Sequence, residues 1–306
     1  MQQRFVLAFA GMSNVGKSTL INALLGADLA PNANRPCTAA PIEFEYAIDL
    51  GVTISSDDSI SRRRWDCRSI AAVRACLDRI AQDGSEMLES HGSRIVVQVP
   101  APLLQAGLVI ADTPGFSAAK VESSAGRHDE VFLTYLRERA SYVFCVMMAD
   151  QGIGKREMEF FRNDLAALCD DLLVTGCDDW QSSDCDRYRA RFLHEFGADP
   201  PAFHFVSGKH AIKARTVGDR GLLEASGISR LETRLRELSA PVGRVDSTEK
   251  RILKVAADLA ARLIEYRDQQ NRPLSPWWRP DSWANWVRIP PPGAIHQQLT
   301  HLLQPR

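Results

Sequence analysis

The chain has 306 residues, 45% of them hydrophobic and 25% charged, with a formal net charge of -1. That length holds one large domain or two smaller ones with a real core, and the charge balance speaks against a nucleic-acid partner held by bulk electrostatics. Seven cysteines (Cys37, Cys67, Cys76, Cys145, Cys169, Cys177, Cys185) form no CxxC pair, so they read as reduced thiols rather than a disulfide or zinc framework. No apolar run reaches the ~20 residues of a membrane span, and the N-terminus enters a strand at once. The expectation is a soluble, cytoplasmic protein, with peripheral membrane contact left open.

The apolar stretch "RFVLAFA" (Arg4 to Ala10) predicts a strand, and it leads directly into Gly11-Met-Ser-Asn-Val-Gly-Lys-Ser18. The spacing Gly-x4-Gly-Lys-Ser is that of a phosphate-cradling loop, in which glycines let the backbone wrap around the anion. Lys17 can place its charge on the β- and γ-phosphates, and the Ser18 hydroxyl can ligate Mg²⁺. The cradle is expected to run from Gly11 through Asn14, Val15 and Gly16 to Thr19. "TLINALLG", apolar at Leu20, Ile21, Leu24 and Leu25 and stopped at Gly26, predicts a helix whose N-terminus faces that anion.

A loop of turn formers follows, "PNANRPCTAAP", and it contains Thr38. "IEFEYAI" alternates Ile42, Phe44, Tyr46 and Ile48 with Glu43 and Glu45, the pattern of a half-buried strand. Residues 51–67 read as a polar loop, with Arg62-Arg63-Arg64 as a solvated basic run inside it. Ile70, Val73, Leu77 and Ile80 predict a helix over 68–82. Strands are expected at "RIVVQV", "GLVIAD", "YVFCVMM", "LLVT" and "FHFVS", and helices through 128–139 and at "REMEFFRNDLAAL". "GIGK" (Gly152 to Lys155) lacks a hydroxyl residue and an upstream glycine and reads as a turn; Phe160-Phe161 fit a core helix face. "SRLE" (Ser229 to Glu232) fits a capping box at the start of the last helix of a domain expected to end near residue 240. Strands alternating with helices predict an α/β fold: three layers around a mostly parallel central sheet.

Residues 241–306 change character. A long amphipathic helix, with Ile252, Val255, Leu259, Leu263 and Ile264 on one face, precedes a tail rich in proline and tryptophan. Four of the six tryptophans lie between 277 and 286, and tryptophan favours partner interfaces and membrane–water boundaries. Three roles suit the tail: covering its own domain, docking a protein or a second copy, and lipid contact, the last weakened by the lack of clustered lysines.

Four further signals accompany the phosphate loop in order. Thr38 can offer a hydroxyl to Mg²⁺ and an N–H to the γ-phosphate. Asp112-Thr-Pro-Gly115 closes a strand with a carboxylate for a Mg²⁺-bound water and, at Gly115, an N–H for the γ-phosphate. Thr175-Gly-Cys-Asp178 closes another, and one carboxylate there can accept both the N1–H and the N2 amino group of guanine. Asp179 is the alternative carboxylate. Ser207-Gly208-Lys209 closes the last strand, where a backbone N–H can meet the guanine O6. The last three, like the phosphate loop, lie at the C-terminal end of a strand, where α/β sheets bind ligands.

Together these motifs resemble the GTP-binding domains of the translation-factor-related GTPase class. "GMSNVGKSTLINALLG" resembles the phosphate loop of Era-type and tRNA-modification GTPases and of bacterial dynamin-like proteins. The 74 residues from Thr38 to Asp112, with "VVQVPAPLLQAGLVIADTPG" and "YVFCVMMADQGIGKREMEFF", are similar to the bacterial dynamin-like pattern over about residues 4–240. The resemblance implies a P-loop GTPase domain over 1–240 that binds GTP or GDP with Mg²⁺ and hydrolyses GTP as a molecular switch. It implies Ser18, Thr38 and Asp112 as metal ligands, and Thr175, Asp178, Ser207, Gly208 and Lys209 around the base. Ser13 matches the position where dynamins carry a polar catalytic residue, and Asn14 the asparagine with which Era-type relatives bind potassium. Two departures stand out. Gly176 replaces a lysine whose stem packs on the base, and Phe116 stands where Ras-like enzymes carry a water-orienting glutamine. They imply slow turnover without a partner or self-association. They also keep a second reading alive, a nucleotide-bound scaffold that docks a partner or membrane through its tail.

Overall fold

The computed structural model describes residues 4–31, 40–56, 63–83, 92–115, 125–149, 159, 161, 165, 166, 168–196, 202–253 and 256. Thr38, Phe116, the "GIGK" turn, Phe160 and the tryptophan-rich tail lie outside them. In chain order the elements are β1 (Phe5–Ala10), α1 (Lys17–Leu25), β2 (Ile42–Tyr46), β3 (Gly51–Ser55), β4 (Arg63–Asp66), α2 (Ile70–Asp83), β5 (Arg94–Val99) and β6 (Leu108–Asp112). Then come α3 (Ala125–Glu138), β7 (Tyr142–Met148), β8 (Asp171–Thr175), α4 (Ser182–Phe196), β9 (Ala202–Phe205), α5 (Gly208–Val217), α6 (Arg220–Ala225) and α7 (Ile228–Ser239). A further helix, α8, covers 241–253.

Among the described residues one sheet carries nine strands, in the order β4-β3-β5-β2-β6-β1-β7-β8-β9. The run β6-β1-β7-β8-β9 is parallel throughout. β2 enters antiparallel to β6, β5 lies parallel to β2, and β3 pairs antiparallel with both β5 and β4. The expected α/β architecture with a mostly parallel sheet is therefore present. β1, β6 and β8 are buried along their whole length, as strands covered on both faces must be, and this explains their nearly continuous apolar sequences.

Two cores flank the sheet and make the three layers. On one face Leu7, Phe9 and Phe144 pack with Leu20 and Ile21 of α1, Val73 and Leu77 of α2, and Leu231 and Leu235 of α7. On the other, Ala8, Val109, Val143 and Leu172 meet Phe132 and Leu136 of α3 and Phe192 of α4. Phe161, expected in a core, is buried there as well.

Three expectations need correction. Residues 51–67 are not a loop: they carry the hairpin strands β3 and β4. β4 is the edge strand, and Arg63, Arg64 and Asp66 are exposed on it, so it lacks the apolar alternation that marks strands with a buried face. Glu43 does not face solvent in a half-buried strand. It is fully buried, because β2 is covered on both faces. The capping box at Ser229 is not formed either, since α7 begins at Ile228 after Gly227 in the left-handed region (φ 74). Ser226 Oγ instead accepts a hydrogen bond from Ile228 N at 3.3 Å.

The chain divides by contact into a compact unit reaching Lys254 and a second from Val255 onward. α8, beyond residue 240, belongs to the first unit. Arg244 donates to the carbonyl of Ala106 at 2.5 Å, and Arg251 donates to those of Leu136 at 2.5 Å and Leu168 at 3.1 Å.

Candidate nucleotide site

The phosphate loop is the short link between β1 and α1. It needs a left-handed residue to turn into the helix, and Gly16 supplies it as the N-cap with φ 84. Asn14, at φ 65, is the one non-glycine residue among the described residues with positive φ. Such a backbone exposes successive N–H groups and suits an anion. Lys17 is buried, and its ammonium donates to the carbonyls of Gly11 at 3.0 Å and Met12 at 2.8 Å, folding back over the loop. Ser13 and Asn14 are exposed at the mouth.

Ser18 Oγ donates to Asp112 Oδ2 at 2.8 Å, which joins the start of α1 to the end of β6. Burial raises the Asp112 carboxyl above its ordinary range, while the charge of Lys17 and the Ser18 hydrogen bond act the other way. A buried carboxylate beside a hydroxyl is a donor set for a hard divalent cation, and a bound cation offsets the burial of that charge. The residues therefore fit Mg²⁺. Next to Asp112, Thr113 Oγ1 donates to the carbonyl of Phe9 at 2.6 Å and is buried, so the Asp-Thr-Pro-Gly segment is stitched to the root of the phosphate loop. The Gly115 backbone comes so near that a Cβ there would lie 2.7 Å from Ser13 Cα and 2.8 Å from Ser13 N. Ser13 and Gly115 thus face each other across a gap only glycine permits.

The base-side residues converge from β8 and β9. Thr175 Oγ1 donates to the carbonyl of Val15 at 2.5 Å, linking the phosphate loop to β8. The sequence placed Thr175 among the base contacts; its hydroxyl is directed at the loop. Ser207 Oγ donates to Asp178 Oδ1 and accepts from His210 N at 3.0 Å as the N-cap of α5. Asp179 is exposed, whereas Asp178 is partly buried, which sets the two carboxylates apart. A Cβ on Gly208 would stand 3.2 Å from Thr19 Cγ2, so the Ser207–Lys209 turn lies along the first turn of α1. Lys209 is exposed. Gly176, at φ 69, gives this loop no side chain over the base position. Two contacts had no warning in the sequence, Thr113 on Phe9 and Thr175 on Val15. Both are hydroxyl-to-carbonyl bonds between segments far apart in the chain, and only strand order reveals them.

A profile of the dynamin family matches residues 7–173, over half of the chain. The chain belongs to the dynamin family. A bacterial dynamin-like protein of Nostoc punctiforme is 27% identical to this dynamin-family chain over 250 residues, covering 77% of it. The chain spans 34% of the length of that relative. Among solved structures, its fold resembles two chains from studies of an oligomerised bacterial dynamin pair that senses and tethers membranes over long range. The TM-scores are 0.56 and 0.55, at 18% and 17% identity. The alignments cover 99% and 88% of this dynamin-family chain, and 47% and 51% of those chains. Among the described residues no helix is long and apolar enough to cross a membrane.

Proposed function

We propose that this chain binds GTP and hydrolyses it to GDP and phosphate, as a dynamin-like switch. The observation that carries the reading is the convergence of Lys17, the Ser18–Asp112 pair and the Asp178–Ser207 pair at the C-terminal ends of β1, β6, β8 and β9. Family membership supports the same general chemistry.

In this reading Lys17 releases its carbonyl partners to hold the β- and γ-phosphates, and the N–H groups from Asn14 to Thr19 complete the cradle. Ser18, Thr38 and Asp112 would hold Mg²⁺, which neutralises charge on the phosphates when bound. Asp178 accepts the guanine N1–H and N2 amino group. Adenine would leave that carboxylate unsatisfied, at about 1–3 kcal/mol. Ser13, which faces Gly115, would position water at the γ-phosphate, and Asn14 would hold a potassium ion beside it. Binding of the γ-phosphate would order the segments around Thr38 and Gly115, and hydrolysis would release them.

The same glycine at position 176 favours a second reading, a nucleotide-bound scaffold with little turnover. The likeness to an oligomerised bacterial dynamin pair that tethers membranes supports extending the proposal to self-association and peripheral membrane contact, which sedimentation with anionic vesicles in GTP and in GDP would check. The deciding experiment is phosphate release from GTP and from ATP, in potassium and in sodium buffer, with Lys17→Ala as control. GTP-specific release abolished by Lys17→Ala is expected. Guanine nucleotide bound without release would establish the scaffold instead.

A further inference from the structure

Glu43 lies in β2 and is fully buried. Its carboxylate accepts hydrogen bonds from Arg4 Nη2 and from the Tyr135 hydroxyl, both at 3.0 Å. Arg94 Nε stands 3.6 Å away and Arg139 Nε 3.5 Å away. One carboxylate therefore gathers the entrance of β1, the start of β5, the side of α3 and the turn that follows α3. Burial and the Glu43 charge together push the Tyr135 phenol well above its ordinary range, so it stays an O–H donor.

A buried ion cluster is weak evidence for stability alone, since well-packed apolar residues often do as well. Its position says more. Glu43 sits opposite Ala111 of β6, and the adjacent pair is Ile42 opposite Asp112. Among the described residues β2 is the first strand after position 38 in the chain, and α3 is the first helix after Gly115. The parts that would sense a γ-phosphate thus adjoin elements that meet at Glu43. GDP, lacking that phosphate, needs chiefly the phosphate loop, at the opposite end of β1 from Arg4, and the base side on β8 and β9.

We infer that Glu43 is a positioning residue for the γ-phosphate end of the site: it ties the strand that follows Thr38, and that strand's pairing with Asp112, to the helix that follows Gly115. The inference rests on the GTP reading above. It separates the two nucleotides, because loss of the tie weakens GTP recognition and leaves GDP recognition in place.

The test measures equilibrium binding of GDP and of a non-hydrolysable GTP analogue to the full chain, as wild type, Glu43→Gln and Tyr135→Phe, with thermal unfolding alongside. For Glu43→Gln we expect GDP affinity within about twofold of wild type and analogue affinity lowered about tenfold, the size of an ordinary coupling between sites. Tyr135→Phe removes one hydroxyl and keeps the ring, so a loss of about threefold for the analogue alone is expected. If Glu43→Gln fails to fold, Tyr135→Phe decides by the same comparison. Equal losses for both nucleotides, or none, would overturn the inference while leaving GTP binding intact. A wild type that binds neither nucleotide would overturn the GTP reading and this inference with it.

Discussion

The two ends of the candidate site are built differently. At the phosphate end Lys17, Asp112 and Thr113 are buried, and the hydrogen bonds described there run to backbone carbonyls or join α1 to β6. At the base end Asp178 is only partly buried, the Ser207 hydroxyl positions it, and Gly176, two residues before it, has no side chain. The phosphate cradle is thus fixed by the sheet itself, whereas base selection hangs on one carboxylate–hydroxyl pair. Substitutions at the first end should act through large losses of binding and rate, and those at the second through specificity.

Removing the cation should have the largest effect. Lys17→Ala is expected to reduce phosphate release from GTP by about 100-fold or more. A loss smaller than at the base end would break the contrast. Asp112→Asn should lower turnover by a similar factor, yet not lower the melting temperature when no divalent cation is added. The sign follows from the raised carboxyl of Asp112. A carboxyl raised in the folded state favours folding in its protonated form and opposes it as pH rises and the group ionises, so a neutral isostere relieves a strain that function imposes.

Asp178→Ala sharpens the contrast. GTP affinity should fall by roughly tenfold to a hundredfold with weak ATP binding unchanged, while Asp179→Ala alters neither; competition binding measures both. Gly115→Ala must push back Ser13, whose backbone the new Cβ would approach within 2.8 Å. A loss of about tenfold in turnover is expected from such a displacement, with GDP affinity retained. The smallest effect concerns Cys177 in the base loop. Burial, followed by the nearby Cys185, pushes its thiol up to about 11. Alkylation at neutral pH should therefore be slower than for an exposed thiol, and should speed up towards alkaline pH.

Much of this was legible in the sequence, for a physical reason that also marks the misses. β1, β6, β7 and β8 announce themselves because a strand buried on both faces must be apolar, and the loops at their ends carry their chemistry locally. β3 and β4 were missed because an edge strand can be polar. Ser229 looked like a cap because three-residue spacing is local, but the helix start was set by Gly227 and Ser226. Asp178 and Asp179 could not be separated by spacing; Ser207, brought alongside from β9, separates them. Glu43 looked solvated because its partners Arg4, Tyr135, Arg94 and Arg139 are scattered over more than a hundred residues. Only the folded sheet supplies them.

The hairpin edge of that sheet has a consequence of its own. β4 ends the sheet with Arg63, Arg64 and Asp66 turned outward, and an incoming strand from another molecule would have to strip water from those charges before it could bond. Crowding many copies onto one surface would therefore not zip their sheets into a continuous ribbon along this edge. The same arginines that conceal the strand from a reader of the sequence guard it against aggregation.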